Sequence, residues 1–210
     1  MRSFLITLVA ATALTACGTT TTDDAATTET AATTAPVADP SNPLGAPGYT
    51  MMAASSDQFE IQSSQLALQA SQNPAVQSYA RLMIAHHQAT TANLTQAAQS
   101  AGLAPPPPAL MPAEQALLDQ VRAAGTGPAF DAAYKQAQIT GHQSALQLHQ
   151  GYANGGDVPA LRQVAATAVP IVQQHLVGAQ GLNVEAMMQQ PAATGTTPTD
   201  TAPVRSGERG

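Results

Sequence analysis

The sequence predicts an all-α fold, an antiparallel four-helix bundle with one short extra helix. Apolar residues recur at steps of three and four along four long segments, which marks one face of a helix. Proline begins several of these segments and glycine or asparagine follows them, as is typical of helix starts and stops. Aromatic residues make up only 3% of the chain and tryptophan is absent. Such a small-residue core suits closely packed helices better than a sheet.

The first two predicted helices are separated by a proline break. The first begins at Ser56 or Asp57, either of which can cap it, and runs to about Gln72. The residue before a proline avoids the helical region, so the second helix begins anew at Pro74. This second helix carries a regular three-four apolar stripe and ends near Ala101.

Three further helices follow in the second half of the chain. A short helix is predicted at 112–124, a long one at 128–152 and a last one from 158 to 187 or 188. Pro170 lies inside the last helix and removes one backbone hydrogen bond, so we expect a kink there. Because the connectors are short or proline-rich, neighbouring long helices are expected to run antiparallel.

The N-terminus has the features of a secretion signal. Arg2 precedes a short apolar run at 4–13, which is too short to span a bilayer. The next residues, Leu-Thr-Ala-Cys ending at Cys17, resemble a bacterial lipobox. The resemblance implies a lipoprotein signal peptide at 1–16 and lipid chains on Cys17, which would anchor the protein on a membrane. Gly18 in place of Asp favours the outer membrane, facing the periplasm, if the source is Gram-negative.

Composition separates a central domain from two tails. Residues 17–54 form a Thr/Ala/Pro-rich tether and residues 190–210 a similar tail, and both lack the bulky apolar residues needed for a core. We therefore predict disorder in both tails and a helical domain at 55–189. The net charge of −6, with only seven Lys and Arg, argues against nucleic-acid binding.

Each long helix carries one inward-leaning residue of a metal-ligand type. The four candidates are Glu60, His87, His142 and His175. Imidazole and carboxylate together suit Zn, Cu, Fe or Ni, and bundle cores can hold such sites between facing helices. From their distances to the helix ends, Glu60 and His87 are expected at one depth, while His142 and His175 are offset by a turn or more. The alternative is structural, with buried neutral histidines hydrogen-bonded to neighbours such as Glu60.

Two further histidines are secondary candidates. His86 adjoins His87 and points about 100° away around the helix, which suggests a rim position. His149 lies two turns after His142, nearer the loop. No Glu-x-x-His pair is present, so a di-iron centre is not expected. Gly-x-Ser-x-Gly and phosphate-binding glycine loops are also missing, and we predict no catalytic residues.

Several separate motifs resemble the DUF4142 family. They are residues 65–68 after Glu60, residues 73–76, Tyr79-Ala80 ahead of His86-His87, residues 130–134 with His142, and Pro170 with His175-Leu176. The resemblance covers residues 55–183 and implies an exported bacterial protein with a ferritin-like four-helix domain. The family's recurring glutamate and three histidines would fall on Glu60, His87, His142 and His175. The family usually has Asp-His where this chain has His86-His87, so one expected carboxylate is missing.

Three functions agree with these observations. We expect a non-catalytic, lipid-anchored bundle protein of the cell envelope, with a structural or stress-related role. The first alternative is a periplasmic protein that binds Zn, Cu or Fe through the Glu/His cluster. The third is a metal-dependent redox enzyme that uses the same cluster.

Overall fold

The computed structural model describes residues 39–184 and contains five helices. They are α1 (Ala46–Ala70), α2 (Pro74–Ser100), α3 (Pro112–Ala123), α4 (Pro128–Gly155) and α5 (Pro159–Gln180). No strand occurs in this part of the chain, so the predicted all-α fold is confirmed. No helix among these five is both long enough and apolar enough to cross a membrane.

The four long helices pack around one interior. α1 packs mainly against α2, and α4 packs mainly against α5. Contacts of α1 with α4 and of α2 with α5 close the bundle, and α3 lies against α1 and α4. The connectors 71–73 and 156–158 are short, which makes each joined pair antiparallel. The fold thus has the predicted bundle with its short extra helix on one flank.

The break between α1 and α2 forms as predicted. Asn73 has an extended backbone, and its side chain accepts a hydrogen bond from the backbone N–H of Ala75 at 2.9 Å. Pro74 occupies the first helical position, where a missing N–H is harmless. This break fixes where α2 begins and therefore the depth of His87 in the bundle.

The predicted start of the first helix is wrong by about three turns. α1 begins at Ala46, so residues 46–54, which we assigned to the tether, are helical. Tyr49, Ala53 and Ala54 from this stretch are buried in a core cluster with Tyr152 and Leu161. The helix start was missed because small residues such as Ala and Ser give little apolar contrast along the sequence. The same residues allow helices to approach closely.

The last helix is shorter than predicted. α5 ends at Gln180, and Leu182 and Val184 after it are buried against the core. Gly181 follows the helix, and its backbone N–H still donates to the carbonyl of Val177 at 3.0 Å, the last such bond of α5. Pro170 lies within α5, and the kink there stays a prediction. Cys17, most of the tether and the tail at 190–210 lie outside the described residues.

Candidate metal centre

Three buried histidines from three different helices meet in the bundle interior. His87 on α2, His142 on α4 and His175 on α5 are 3%, 1% and 3% exposed. One ring nitrogen from each lies within 4.8 Å of the others. The sequence named all three as candidates, and the bundle brings them to one level.

The expected offset between His142 and His175 is wrong. Their ring centroids are only 5.3 Å apart. His142 lies 13 residues before the end of α4 and His175 lies 16 residues after the start of α5, a difference of three residues. That difference is less than one helical turn of 3.6 residues, which imidazole side chains can span. The predicted α4 ended three residues too early and the predicted α5 began one residue too early, so the offset was overestimated.

His87 is oriented by the carboxylate of Asp57, a residue that was predicted to cap the first helix. Its Nδ1 donates a hydrogen bond to Oδ1 of Asp57 at 2.8 Å, because a carboxylate can only accept. The hydroxyls of Thr90 and Thr91 donate to the two oxygens of Asp57 at 2.8 and 2.9 Å. In the neutral imidazole the proton is on Nδ1, so the lone pair lies on Nε2. That nitrogen has no hydrogen-bond partner among the described residues.

Charge around His87 raises its pKa in the metal-free protein, so an ion that binds at Nε2 has to displace a proton there. Burial by itself lowers the pKa of His87, but the hydrogen bond and charge of Asp57, together with the charge of Glu60, raise it overall. The spacing of Asp57 and Glu60 could have signalled this role, since residues three apart lie on the same helix face. We missed it because α1 was expected to begin at Ser56 or Asp57.

His142 is oriented by the backbone of its own helix. Its Nδ1 donates to the carbonyl of Gln138 at 2.8 Å, which leaves the lone pair on Nε2. That Nε2 also has no partner in the described part of the chain. Burial lowers the pKa of His142, so the neutral imidazole is favoured. A neutral imidazole with a free lone pair is the form that binds a metal ion.

His175 is oriented by His86, the predicted rim residue. Nε2 of His175 lies 2.8 Å from Nδ1 of His86, and the two rings stack with centroids 5.0 Å apart. His86 is exposed, as expected for a rim position. Nδ1 of His175 is buried and makes no hydrogen bond to any described residue. Burial, followed by the neighbouring histidines, lowers the pKa of His175 to about 3.

Glu60 lies beside the triad with an unpaired carboxylate. It is 1% exposed, and neither side-chain oxygen has a hydrogen-bond partner within residues 39–184. Its Oε1 is 3.4 Å from Nδ1 of His142, but that nitrogen donates to Gln138 instead. Glu60 is therefore not the hydrogen-bond partner of a core histidine, and the three histidines are bonded to Asp57, Gln138 and His86 instead.

His149 lies apart from the triad. Its Nδ1 is 3.1 Å from the hydroxyl of Tyr49, and the rings meet edge to face. Burial lowers the pKa of His149 to about 4, so it stays neutral at pH 7. This secondary candidate contacts Tyr49 of α1 and is not one of the three histidines whose nitrogens converge.

The residues present fit a divalent transition metal. Three imidazole nitrogens bound at ~2.0–2.1 Å to one tetrahedral ion would lie about 3.4 Å apart. The nitrogens of His87, His142 and His175 lie within 4.8 Å of one another, so the rings need to approach by at most about 1.4 Å. Asp57 and Glu60 add two buried carboxylates, whose charges would balance a 2+ ion. Water or a carboxylate could occupy a fourth position, as three-histidine sites allow.

Comparison with solved structures identifies a protein of similar fold. The chain is similar to the structure titled "CopM in the Cu(II)-bound form", with 16% sequence identity and a TM-score of 0.55. The alignment covers 65% of this chain and 93% of that chain. At this identity the likeness supports the helical-bundle fold alone. No curated protein matches the chain significantly.

Comparison with protein families gives a match across most of the chain. The family is described as "Domain of unknown function (DUF4142)" and matches residues 20–182. That range includes all five helices in full, and it contains Glu60 and the three histidines. The resemblance drawn from the sequence motifs is thereby confirmed: this chain belongs to the DUF4142 family.

Proposed function

We propose that this protein binds one transition-metal ion through His87, His142 and His175. The observation that carries the proposal is the convergence of three buried ring nitrogens, one per residue, within 4.8 Å. Each ring has an unpaired buried nitrogen, and the opposite nitrogen is hydrogen-bonded. Metal-bound histidines in proteins are oriented in this way, through the nitrogen that does not bind the metal.

The free-energy cost of buried polar atoms without partners favours a bound ion over a metal-free core. A buried polar atom without a partner destabilises a protein by roughly 1–3 kcal/mol. Among the described residues, one nitrogen of each triad histidine and both oxygens of Glu60 are such atoms, and Oε1 of Glu60 lies 3.4 Å from Nδ1 of His142. Binding one cation would satisfy the nitrogens directly and would offset the negative charge of Glu60. A purely structural core would be expected to pair these atoms with one another or to replace them with apolar groups.

Copper is the ion that we expect to bind most tightly. Imidazole binds Cu, Zn, Fe and Ni, and affinity among divalent ions rises to Cu(II) and falls again at Zn(II). The structurally similar CopM was solved with Cu(II). Zinc is the second candidate, because three neutral nitrogens with an open position also suit its tetrahedral preference. The role we propose is to hold or sequester the ion.

We also propose that the protein acts in the cell envelope as a lipoprotein. The support is the sequence Leu-Thr-Ala-Cys after an apolar run, with Cys17 as the only cysteine of the chain. Replacing Cys17 by Ser should release the protein from the membrane fraction of the source cell, whereas the wild type should stay bound. If both fractionate alike, the lipid anchor is refuted.

The test of metal binding compares two buried histidines of one helix. We expect the wild-type chain, produced without a histidine tag, to hold about one Cu(II) or Zn(II) per chain by elemental analysis and calorimetry. His142→Gln should abolish stoichiometric binding, because it removes a ligand. His149→Gln is the matched control, since His149 is buried on α4 but lies outside the triad. Equal metal content in both variants and the wild type would refute the proposal.

A further inference from the structure

A cavity lined by Asp57, the hydrogen-bond partner of His87, opens toward the surface. It lies between α1, α2, α4 and α5 and has a volume of about 200 Å³. Three exposed side chains, Asn93, Gln163 and Thr167, belong to its lining and mark its opening between α2 and α5. One water needs only about 10–15 Å³ of such volume, so the cavity has room for an ion with part of its hydration shell.

The inner end of the cavity adjoins the groups that orient the triad. Asp57 lines the cavity and accepts the hydrogen bond from Nδ1 of His87. Ile171, another lining residue, lies four residues before His175 and therefore one turn below it on the same face of α5. The cavity thus occupies the layer of the bundle next to the three histidines.

We propose that this cavity is the route by which the metal ion reaches the triad. The inference rests on the proposed metal-binding function. With the triad almost fully buried, an ion needs a path from solvent, and the carboxylate of Asp57 at the inner end of this cavity attracts cations. Asp57 therefore has two roles: it draws the ion inward and it orients the ligand His87.

Two other routes from solvent to the triad agree less well with the structure. A second cavity of about 130 Å³ is lined by Phe59, Gly141 and Ser144, among others, but by none of the triad and by none of its hydrogen-bonded side chains. On the side of His175, the ring of His86 stacks on the imidazole with centroids 5.0 Å apart and so covers that face of the ring. Of these two cavities, only the first has a lining residue whose side chain bonds directly to a triad histidine.

The experiment measures the rates of metal exchange in the full-length chain. Thr167→Trp places a bulky side chain at the opening of the first cavity, and Ser144→Trp does the same at the second. Both positions are exposed on helices, so the two variants are matched in chemistry and setting. Zn(II) association is followed by stopped flow against a chromophoric chelator, and dissociation is followed by transfer to excess chelator. Circular dichroism checks that both variants fold.

Blocking a route changes the rates without changing the affinity. We expect Thr167→Trp to slow association and dissociation by the same factor, about tenfold or more, with an unchanged Kd. Ser144→Trp should exchange at the wild-type rates, and Thr167→Ala should exchange at least as fast as the wild type. Unchanged rates in Thr167→Trp, or slowing in Ser144→Trp instead, would overturn the route while leaving the metal site intact. A wild-type chain that binds no Zn(II) or Cu(II) would refute the proposed function and the route together.

Discussion

Nδ1 of His87 lies 2.8 Å from Oδ1 of Asp57, which is thirty residues earlier in the chain and on a different helix. The two side chains are buried together, and two threonine hydroxyls hold the carboxylate in place. This pair fixes both the orientation of the imidazole and the nitrogen that is left to bind an ion. Removing the carboxylate is therefore the most direct test of the orienting groups.

Asp57→Asn should weaken metal binding without removing a ligand. The amide oxygen can still accept from His87 but has no charge, so we expect a loss of about 10–100-fold in affinity. Calorimetric titration with Cu(II) and Zn(II) measures this loss of affinity. Asp119→Asn is the control, because Asp119 is exposed and pairs only with residues on α3. The same loss in both variants would show that the effect is one of overall charge.

His86 should matter as a hydrogen-bond acceptor for His175. His86→Leu removes the acceptor 2.8 Å from Nε2 of His175 and should lower the affinity for metal by roughly tenfold. His86→Gln supplies an amide oxygen near the same position and should recover much of the loss. Titration of both variants with metal distinguishes the loss of the orienting hydrogen bond from a change in side-chain volume. Equal weakening by Leu and Gln would contradict a positioning role.

Replacing Glu60 should have opposite effects on stability and on metal binding. Glu60→Met removes a buried unpaired carboxylate while keeping a long unbranched side chain. We expect the metal-free chain to gain about 1–3 kcal/mol in the free energy of unfolding, measured by urea denaturation with chelator present. The same variant should bind Cu(II) more weakly, because one balancing charge is lost. A less stable metal-free variant would count against the proposed role of Glu60.

The close approach of α1 and α4 depends on Gly141. A Cβ atom there would lie 2.9 Å from Cε1 of Phe59 and 3.1 Å from Oε1 of Glu60. Gly141→Ala should therefore destabilise the fold by about 1–3 kcal/mol through overpacking. Gly151→Ala on the same helix is the control, since nothing lies within 4 Å of its added Cβ. That variant should gain roughly 0.5–1 kcal/mol, as expected for Gly to Ala in a helix. Thermal unfolding of both measures the contrast.

His149 should make stability depend on pH in the acidic range. Burial lowers the pKa of His149 to about 4, whereas an unfolded histidine titrates near 6.5. Between these values the unfolded chain binds the proton and the folded chain does not. The contribution of His149 to the free energy of unfolding is therefore complete above pH ~6.5. It falls by an amount on the order of 3 kcal/mol as the pH falls toward 4.

The measurement for His149 is urea denaturation from pH 7.5 to 4 in the presence of chelator. Comparison with His149→Gln isolates its contribution, since the other buried histidines are common to both chains. The variant should lose less stability than the wild type as the pH falls. Parallel pH profiles would contradict a neutral buried His149.

The candidate ligands could be predicted from sequence, but the groups around them could not. His87, His142 and His175 each occupy an apolar helical face, and the three-four periodicity is visible along the chain. Asp57 was missed because the α1 segment is rich in Ala and Ser and has little apolar contrast, so its true start at Ala46 was hidden. The contact of His86 with His175 depends on how α2 packs against α5, which no local pattern encodes.

By itself, the sequence determined the class of fold, the proline and glycine positions that divide the chain into helices, and the residues able to bind a metal. These depend on interactions within a few residues, namely helix periodicity, capping and side-chain chemistry. Only the tertiary structure decided that His142 and His175 share one level, that Asp57 and His86 orient the ligands, and that Glu60 has no hydrogen-bond partner among the described residues. Those relationships depend on the exact ends of the helices and on their packing. A shift of one residue moves a side chain 1.5 Å along the helix axis and 100° around it, enough to bring it into the triad or take it out.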